Sequence, residues 1–118
     1  MLFRSVSASA QIGEGAVVMP NAVINARAVI GEGAIINTGA IIEHDCEVGD
    51  FAHISPNAAL AGGVIVGANT HVGIGSCAIQ CVKIGANCII GAGSVVVRDI
   101  ADGSVAYGNP AKARRNLR

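Results

Sequence analysis

The sequence predicts an all-β fold, a parallel β-solenoid built from six-residue repeats. Three observations predict it: a large aliphatic residue returns every six positions, a small or β-branched residue follows it at a fixed distance, and aromatic rings are scarce. The 118 residues include 16 Gly, but only two Phe, one Tyr and no Trp. A core without bulky rings has to be assembled from small and branched aliphatic side chains that pack closely.

The large aliphatic position repeats without interruption over most of the chain. Its members are Val6, Ile12, Val18, Ile24, Ile30, Ile36, Ile42, Val48, Ile54, Leu60, Val66, Val72, Ala78, Ile84, Ile90 and Val96, of which only Ala78 is small. The small positions run from Ala10, Ala16 and Ala22 to Val82, Cys88 and Ser94. A six-residue period fits neither an amphipathic helix nor an alternating strand. It fits a coil with flat faces, in which each repeat supplies one short strand and one corner.

Three such faces close a triangle, so a turn takes three repeats and stacks on the next as parallel strands about 4.8 Å apart. Residues 6–101 then form about five coils, with the large aliphatic side chains pointing inward. Glycines after the aliphatic position, such as Gly31 and Gly49, are expected to ease the corners. Residues 102–118 are a C-terminal extension of the same single domain, 1–118. Its basic segment after Gly108-Asn109-Pro110 is predicted to form one helical turn on the last coil.

Charge and cysteine usage exclude several classes of partner. Eight basic and eight acidic residues balance, which gives no global attraction for nucleic acid. No run approaches the roughly 18 apolar residues that span a bilayer, so no membrane partner is expected. The four cysteines form no C-x-x-C pair, and reduced thiols in a cytoplasmic protein are expected. Cys46 and Cys88 occupy the small inward position and are predicted to be core residues.

The three histidines point to a site between subunits. His53 and His71 are separated by three repeats, one full turn, and should lie one above the other, whereas His44 lies half a turn before His53 on another face. His44 and His53 could therefore meet only across a subunit boundary, which favours a homotrimer with sites in the clefts. His44 sits among acidic residues, and an imidazole beside a carboxylate suits a general base. The alternative is an exposed corner histidine among solvated acids.

A more specific pattern overlies the repeats. It comprises Ile36-Asn37-Thr38-Gly39-Ala40, His44-Asp45-Cys46, Gly49-Asp50-Phe51-Ala52-His53-Ile54 and the closing Gly108-Asn109-Pro110-Ala111. With these motifs the chain resembles the bacterial transferase hexapeptide-repeat family, in particular the sialic-acid O-acetyltransferases and the nucleotide-sugar N-acetyltransferases. The resemblance implies a left-handed β-helix, a homotrimer, acetyl-CoA as cosubstrate, no metal, and transfer to an amino or hydroxyl group of a nucleotide-linked sugar or another small molecule.

The resemblance also implies roles for individual residues. His44 would be the general base, Asp45 would sharpen its basicity, and Asn37 would position the acceptor or His44. His53 would contact acetyl-CoA near its thioester. The other positions that match contacts of the extended cofactor are Gly62, Ile74, Ala92, Lys112 and Arg114. Ile74 and Ala92 are one turn apart and so form a track along the prism axis.

The chain departs from this group in one respect. Relatives with these histidines carry an N-terminal nucleotide-sugar-binding domain, whereas the repeats here begin almost at Met1, so part of the acceptor pocket is expected to be missing. Two alternatives to an acetyltransferase stay open: a non-catalytic or relic trimer without its acceptor-binding domain, and, from the histidines, a metal-binding protein similar to the γ-class carbonic anhydrases. The acceptor, the choice between O- and N-acetylation, and any role of His71, Cys77 and Cys81 stay open.

Overall fold

The computed structural model describes residues 4–116, which form strands and turns and no helix. The strands in chain order are β1 (Ser5–Val6), β2 (Gln11–Ile12), β3 (Val17–Val18), β4 (Val23–Ile24), β5 (Val29–Ile30), β6 (Ile35–Ile36), β7 (Ile41–Ile42), β8 (Glu47–Val48), β9 (His53–Ile54), β10 (Ala59–Leu60), β11 (Ile65–Val66), β12 (His71–Val72), β13 (Cys77–Ala78), β14 (Lys83–Ile84), β15 (Ile89–Ile90), β16 (Val95–Val96), β17 (Ser104–Gly108) and β18 (Ala111–Asn116). Within this range no helix is long and apolar enough to cross a membrane.

The short strands stack in parallel into the three faces of a prism. Face 1 contains β1, β4, β7, β10, β13 and β16; face 2 contains β2, β5, β8, β11 and β14; face 3 contains β3, β6, β9, β12, β15, β17 and β18. Each strand pairs with the strand three repeats further along, as where His53 lies opposite His71. The predicted parallel solenoid is confirmed, with about six turns rather than five because β17 extends face 3 beyond β15. The hand of the coil stays a prediction.

The core is a ladder of aliphatic side chains along the prism axis. The second residue of each short strand points inward, and from Ile24 to Val96 none of these residues is more than 4% exposed. Val6 and Ile12, in the first described coil, are 38% and 40% exposed. The small position beside the ladder is also filled: Cys46 and Cys88 are buried there, as predicted. Close packing of this kind makes each inward side chain expensive to shorten.

The corners depend on two different backbone requirements. Where a glycine follows the aliphatic residue, it is needed for the close stacking of coils, because a Cβ on Gly49 would lie 2.5 Å from the backbone nitrogen of Ala68. The left-handed conformation that eases the corner falls two residues later, as at Gly33, Asn57 and Asp45. Glycine, Asn and Asp tolerate positive φ better than other residues. The expected role of the first set of glycines in easing the corner is therefore wrong.

The C-terminal segment is a β-hairpin, and the predicted helical turn is wrong. Strand β17 pairs in parallel with β15, and β18 then pairs antiparallel with β17, with Gly108 opposite Ala111. Gly108 has a φ of 111°, and the chain reverses there through a cis Asn109–Pro110 bond. The open edge of face 3 offers unpaired backbone groups, which a strand satisfies and a helical turn would not.

The two residues of β5 provide a matched test of the packing. Ile30→Ala removes a side chain that is 1% exposed, and it should lower the free energy of unfolding by about 2–5 kcal/mol. Val29→Ala, on the outside of the same strand, should cost less than about 1 kcal/mol. Denaturant unfolding of the two variants measures the difference, and equal losses would contradict the assignment of inward and outward positions.

Candidate active site

His44 lies at corner 1–2, which we define as the turns between face 1 and face 2 (residues 7–10, 25–28, 43–46, 61–64 and 79–82). Its side chain is exposed, and its Nδ1 lies 2.9 Å from Oδ2 of Asp45. Asp45 has a φ of 61°, the left-handed conformation of the corner. The two neighbours are thus joined by a direct hydrogen bond, while their catalytic role stays a prediction.

The charge of Asp45 is fixed by a residue one coil earlier. Nε of Arg27 donates to Oδ1 at 2.8 Å, and a terminal guanidinium nitrogen of Arg27 donates to Oδ2 at 3.1 Å. The hydrogen bond from Arg27, followed by that from His44, lowers the pKa of Asp45 from 3.8 to about 2. An ionised carboxylate only accepts hydrogen bonds, so Nδ1 of His44 must carry the proton. In the neutral imidazole Nε2 then has a free lone pair.

Nε2 of His44 faces a groove, which exists because two glycines place no side chain there. A Cβ on Gly62 would lie 2.5 Å from Nε2 of His44, so the imidazole rests directly on the glycine backbone. Gly62 and Gly63 leave an open volume of about 570 Å³ in the corner. It is lined by His44, Asp45, Ala61, Gly62, Gly63, Gln80 and Cys81. A molecule in this groove would contact the basic nitrogen.

A second cluster lies on face 3 and at corner 3–1, which we define as the turns between face 3 and face 1 (residues 37–40, 55–58, 73–76 and 91–94). The side-chain nitrogen of Asn37 lies 3.0 Å from Nε2 of His53. The backbone N–H of Thr38 donates to Oδ1 of Asn37 at 2.7 Å, which fixes the orientation of the amide. Asn37 therefore donates to Nε2, and Nδ1 of His53 carries the proton of the neutral ring.

The surroundings of His53 favour its neutral form. Burial, and then the neighbouring His71, lower the pKa of His53 below its usual value. The two rings stack edge to face, with their centroids 4.7 Å apart. Nε2 of His71 lies 3.0 Å from Oγ of Ser55, one coil above the equivalent contact of His53. The arrangement gives His53 an N–H donor at Nδ1 and no charge near neutral pH.

The remaining predicted residues divide between the two corners and the tail. Ile74 and Ala92 lie at corner 3–1, and the backbone oxygen of Ile74 accepts from Gly93 one coil later. Gly62 lies at corner 1–2, beside His44 and away from that track. On β18, Lys112 is exposed, while the guanidinium of Arg114 lies 4.9 Å from the Tyr107 ring. Within one chain, then, His44 and His53 belong to separate clusters.

Three residues around His44 were not predicted from the sequence. Arg27, Gln80 and Cys81 share the corner with it. The repeat itself could have found them, because Arg27 lies one turn before Asp45, and Gln80 and Cys81 lie two turns after His44 and Asp45. In residues 4–116 no three His, Cys, Asp or Glu side chains gather as ligands for a metal ion.

Comparison with known proteins identifies the structural class of this chain. The fold and the repeats are those of a hexapeptide-repeat β-solenoid, and the sequence profile named "bacterial transferase hexapeptide (six repeats)" matches residues 9–44 and 27–62. No sequence among the curated proteins matches the chain. The resemblance predicted from the sequence is confirmed by solved structures of nucleotide-sugar N-acetyltransferases.

Two of these structures share nearly half of their aligned residues with the chain. One is a histidine-to-alanine mutant of GDP-perosamine N-acetyltransferase from Caulobacter crescentus in complex with CoA and GDP-perosamine: 49% identity, TM-score 0.94, 96% of this chain and 54% of that one. The other is the acetyltransferase domain of PglB from Neisseria gonorrhoeae in complex with acetyl-CoA: 45% identity, TM-score 0.92, 93% of this chain and 54% of that one. The chain thus spans about half the length of these structures.

A more distant structure shares the fold alone. It is a mutant of AntD, an N-acyltransferase from Bacillus cereus, in complex with dTDP and CoA, at 19% identity and a TM-score of 0.92 over 98% of this chain and 78% of that one. Its similarity over nearly the whole chain supports the same β-solenoid fold.

The paired Asp45 predicts an unusual titration. With a pKa of about 2, its carboxyl group should stay ionised as the pH falls through 3.8, where an unpaired aspartate is half protonated. In Arg27→Met the pKa should rise toward 3.8, because the larger of the two stabilising hydrogen bonds is gone. A carbon-13 NMR titration of the side-chain carboxyl measures both. An ordinary titration of Asp45 in the wild-type protein would contradict the pairing.

Proposed function

We propose that the chain is a CoA-dependent acetyltransferase, which transfers the acetyl group of acetyl-CoA to an amino or hydroxyl group of a nucleotide-linked sugar or a related small molecule. The observation that carries the proposal is the His44–Asp45 pair, with its free Nε2 facing the groove over Gly62. Support comes from the structures that share nearly half of their aligned residues with the chain: one is bound to CoA and GDP-perosamine, and the other to acetyl-CoA.

His44 is the proposed general base. Its Nε2 accepts the proton of the acceptor N–H or O–H while the acceptor nitrogen or oxygen attacks the carbonyl carbon of the thioester. The C–S bond then breaks, and the imidazolium returns the proton to the departing thiolate. Asp45 holds Nδ1–H throughout and stabilises the imidazolium, but its low pKa keeps it from taking the proton itself. Atoms and charges balance without a metal or a protein nucleophile.

His53 is the proposed partner of the thioester oxygen. Negative charge develops on that oxygen during the attack, and a preorganised N–H donor aimed at it lowers the barrier. Nδ1–H of His53 is such a donor, because Asn37 occupies Nε2 and burial keeps the ring neutral. Asn37 then acts through His53 and sets its tautomer. This proposed role differs from the one predicted from the sequence, in which Asn37 positions the acceptor or His44.

Ile74 and Ala92 form the proposed track for the cofactor arm. They lie on one corner in successive coils, and the side chain of Ile74 is 54% exposed. An extended pantetheine chain needs such a line of small and apolar contacts parallel to the prism axis. Lys112 and Arg114, on β18 at the end of the prism, are the proposed partners of the nucleotide phosphates, since exposed cations form charge-assisted hydrogen bonds with phosphate.

Three copies of the chain are proposed to complete the site. The outward residues of face 2 include Glu47 and Lys83, whereas those of face 1 and of the two-residue strands of face 3 carry no acidic or strongly basic group. Uncharged sheet faces suit an interface between subunits. A homotrimer in which corner 1–2 of one subunit meets face 3 of the next would bring His44 to the Asn37–His53 pair of its neighbour.

Two other functions make different predictions. A relic or non-catalytic trimer would keep the repeats, but it would bind acetyl-CoA weakly or not at all in calorimetry. A metal protein similar to the γ-carbonic anhydrases needs three imidazoles at one place. The hydrogen bond from Asn37 to Nε2 of His53 favours the acetyltransferase, since it occupies the lone pair that a metal ion would need.

His44→Gln tests the proposed base. Loss of a general base lowers turnover by about 10²–10⁴-fold, while the fold should persist because the side chain is exposed. Thioester cleavage with GDP-perosamine and other amino sugars as acceptors measures turnover, and calorimetry should still detect acetyl-CoA. Wild-type turnover in this variant would refute the base. Absence of both binding and turnover in the unmodified protein would favour the relic.

Ile74→Glu tests the cofactor track. A carboxylate on the track should weaken acetyl-CoA binding at least about tenfold, because it replaces an apolar contact and repels the cofactor phosphates. Val29→Glu is the matched control, since Val29 is also an exposed aliphatic residue but lies on the charged face 2. Calorimetry of both variants decides the point, and equal affinity for acetyl-CoA in the two would place the cofactor elsewhere.

A further inference from the structure

Corner 1–2 contains a column of hydrogen bonds that reaches beyond the His44–Asp45 pair. Ser9, Arg27 and Asp45 occupy equivalent positions in three successive coils, each one turn from the next. The backbone N–H of Arg27 donates to Oγ of Ser9 at 3.0 Å, and the Arg27 guanidinium donates to both carboxylate oxygens of Asp45. Oδ2 of Asp45 is shared, because it also accepts from Nδ1 of His44. The column therefore ends on the proposed base.

Arg27 holds this place in an unfavourable backbone conformation. Its φ is 60°, at the corner position where the chain mostly carries Gly, Asn or Asp. A long side chain is disfavoured there, and backbone strain of this kind clusters at functional sites. The ion pair itself is exposed, with the Arg27 side chain 63% accessible, so it adds little to the stability of the fold.

We infer that Arg27 is a positioning residue for acetyl transfer, which fixes the Asp45 carboxylate in the orientation that holds Nδ1–H of His44. The inference rests on the proposed function. A two-pronged guanidinium leaves a carboxylate one orientation, whereas an aspartate on a solvent-exposed turn is otherwise free to rotate. The guanidinium also offsets the negative charge of Asp45, so the carboxylate orients the imidazole without binding the proton too tightly there.

The other charged or titratable groups around His44 are few. Glu43 precedes it, but the Glu43 carboxylate is held by the side-chain amide of Asn25, and Cys81 lines the far side of the groove. Glu47 lies on face 2, and the adjoining strands of face 1 carry no charge. Arg27 is therefore the cation whose removal changes the net charge at the His44–Asp45 pair.

The deciding variant is Arg27→Gly. Glycine suits a φ of 60°, so thermal unfolding should occur near the wild-type temperature although the side chain is lost. We expect kcat to fall about tenfold, with KM for acetyl-CoA unchanged. This loss is smaller than the roughly 10²–10⁴-fold fall expected when the general base itself is removed. The acid limb of kcat/KM against pH should move to higher pH, because the Arg27 guanidinium no longer offsets the negative charge of Asp45. Asp45→Asn should move that limb to lower pH.

Arg27→Lys separates geometry from charge. Lysine keeps the cation but not the fork, so kcat should fall while the acid limb stays near that of the wild type. Arg98→Met is the control, since Arg98 is exposed on the same side of the prism three coils from His44, about 14 Å at the strand spacing and beyond the screening length of about 8 Å. Its kinetics should match the wild type.

A second readout needs no activity. The Nδ1 proton of His44, hydrogen-bonded to Asp45, should give a downfield imidazole resonance that broadens by exchange in Arg27→Gly and persists in Arg98→Met. If the unmodified protein transfers no acetyl group, the proposed function fails, but this resonance still tests Arg27. An unchanged resonance together with wild-type kcat and pH profile in Arg27→Gly would overturn the inference.

Discussion

The register of the stacked coils, in which each repeat pairs with the third repeat after it, is the constraint on which the whole structure depends. Each short strand inside a face pairs in parallel with the strand one turn earlier and one turn later, so its side chains have fixed neighbours along the prism. Inward, the rule builds an aliphatic ladder from Ile24 to Val96. Outward, it builds columns such as Ser9–Arg27–Asp45 and Ile35–His53–His71. The same periodicity therefore sets both the stability of the fold and the composition of the candidate site.

The candidate site depends on glycines that leave space at the corner as well as on the side chains that surround that space. Gly62 and Gly63 interrupt a corner that carries side chains in the coils before and after it, and the imidazole of His44 lies over the gap. Neighbouring hydrogen bonds then set the tautomers of the two histidines: Asp45 keeps the proton of His44 on Nδ1, and Asn37 keeps that of His53 on Nδ1 as well. One ring thus offers a lone pair at Nε2, and the other offers a donor.

Much of this could be predicted from the sequence, because a six-residue period has few solutions. The strands, their register, the buried Cys46 and Cys88 and the separation of His44 from His53 all follow from counting. The hairpin formed by β17 and β18 does not, since its pairing depends on the open edge of face 3 rather than on the repeat. Arg27 was missed because its partner lies 18 residues away along the chain, and only the register of the coils, applied to the outward corner residues, brings the two side chains together.

Division of the proposed chemistry between two corners separates stability from activity. The base and its partners lie at corner 1–2, whereas Asn37, His53 and Ile74 belong to the other side of the prism, and none of these side chains is part of the aliphatic ladder. Residues of the columns can then change without opening a cavity in the core. The aliphatic ladder packs within a single chain, but in the proposed trimer the site is complete only where a second copy presents face 3 to His44.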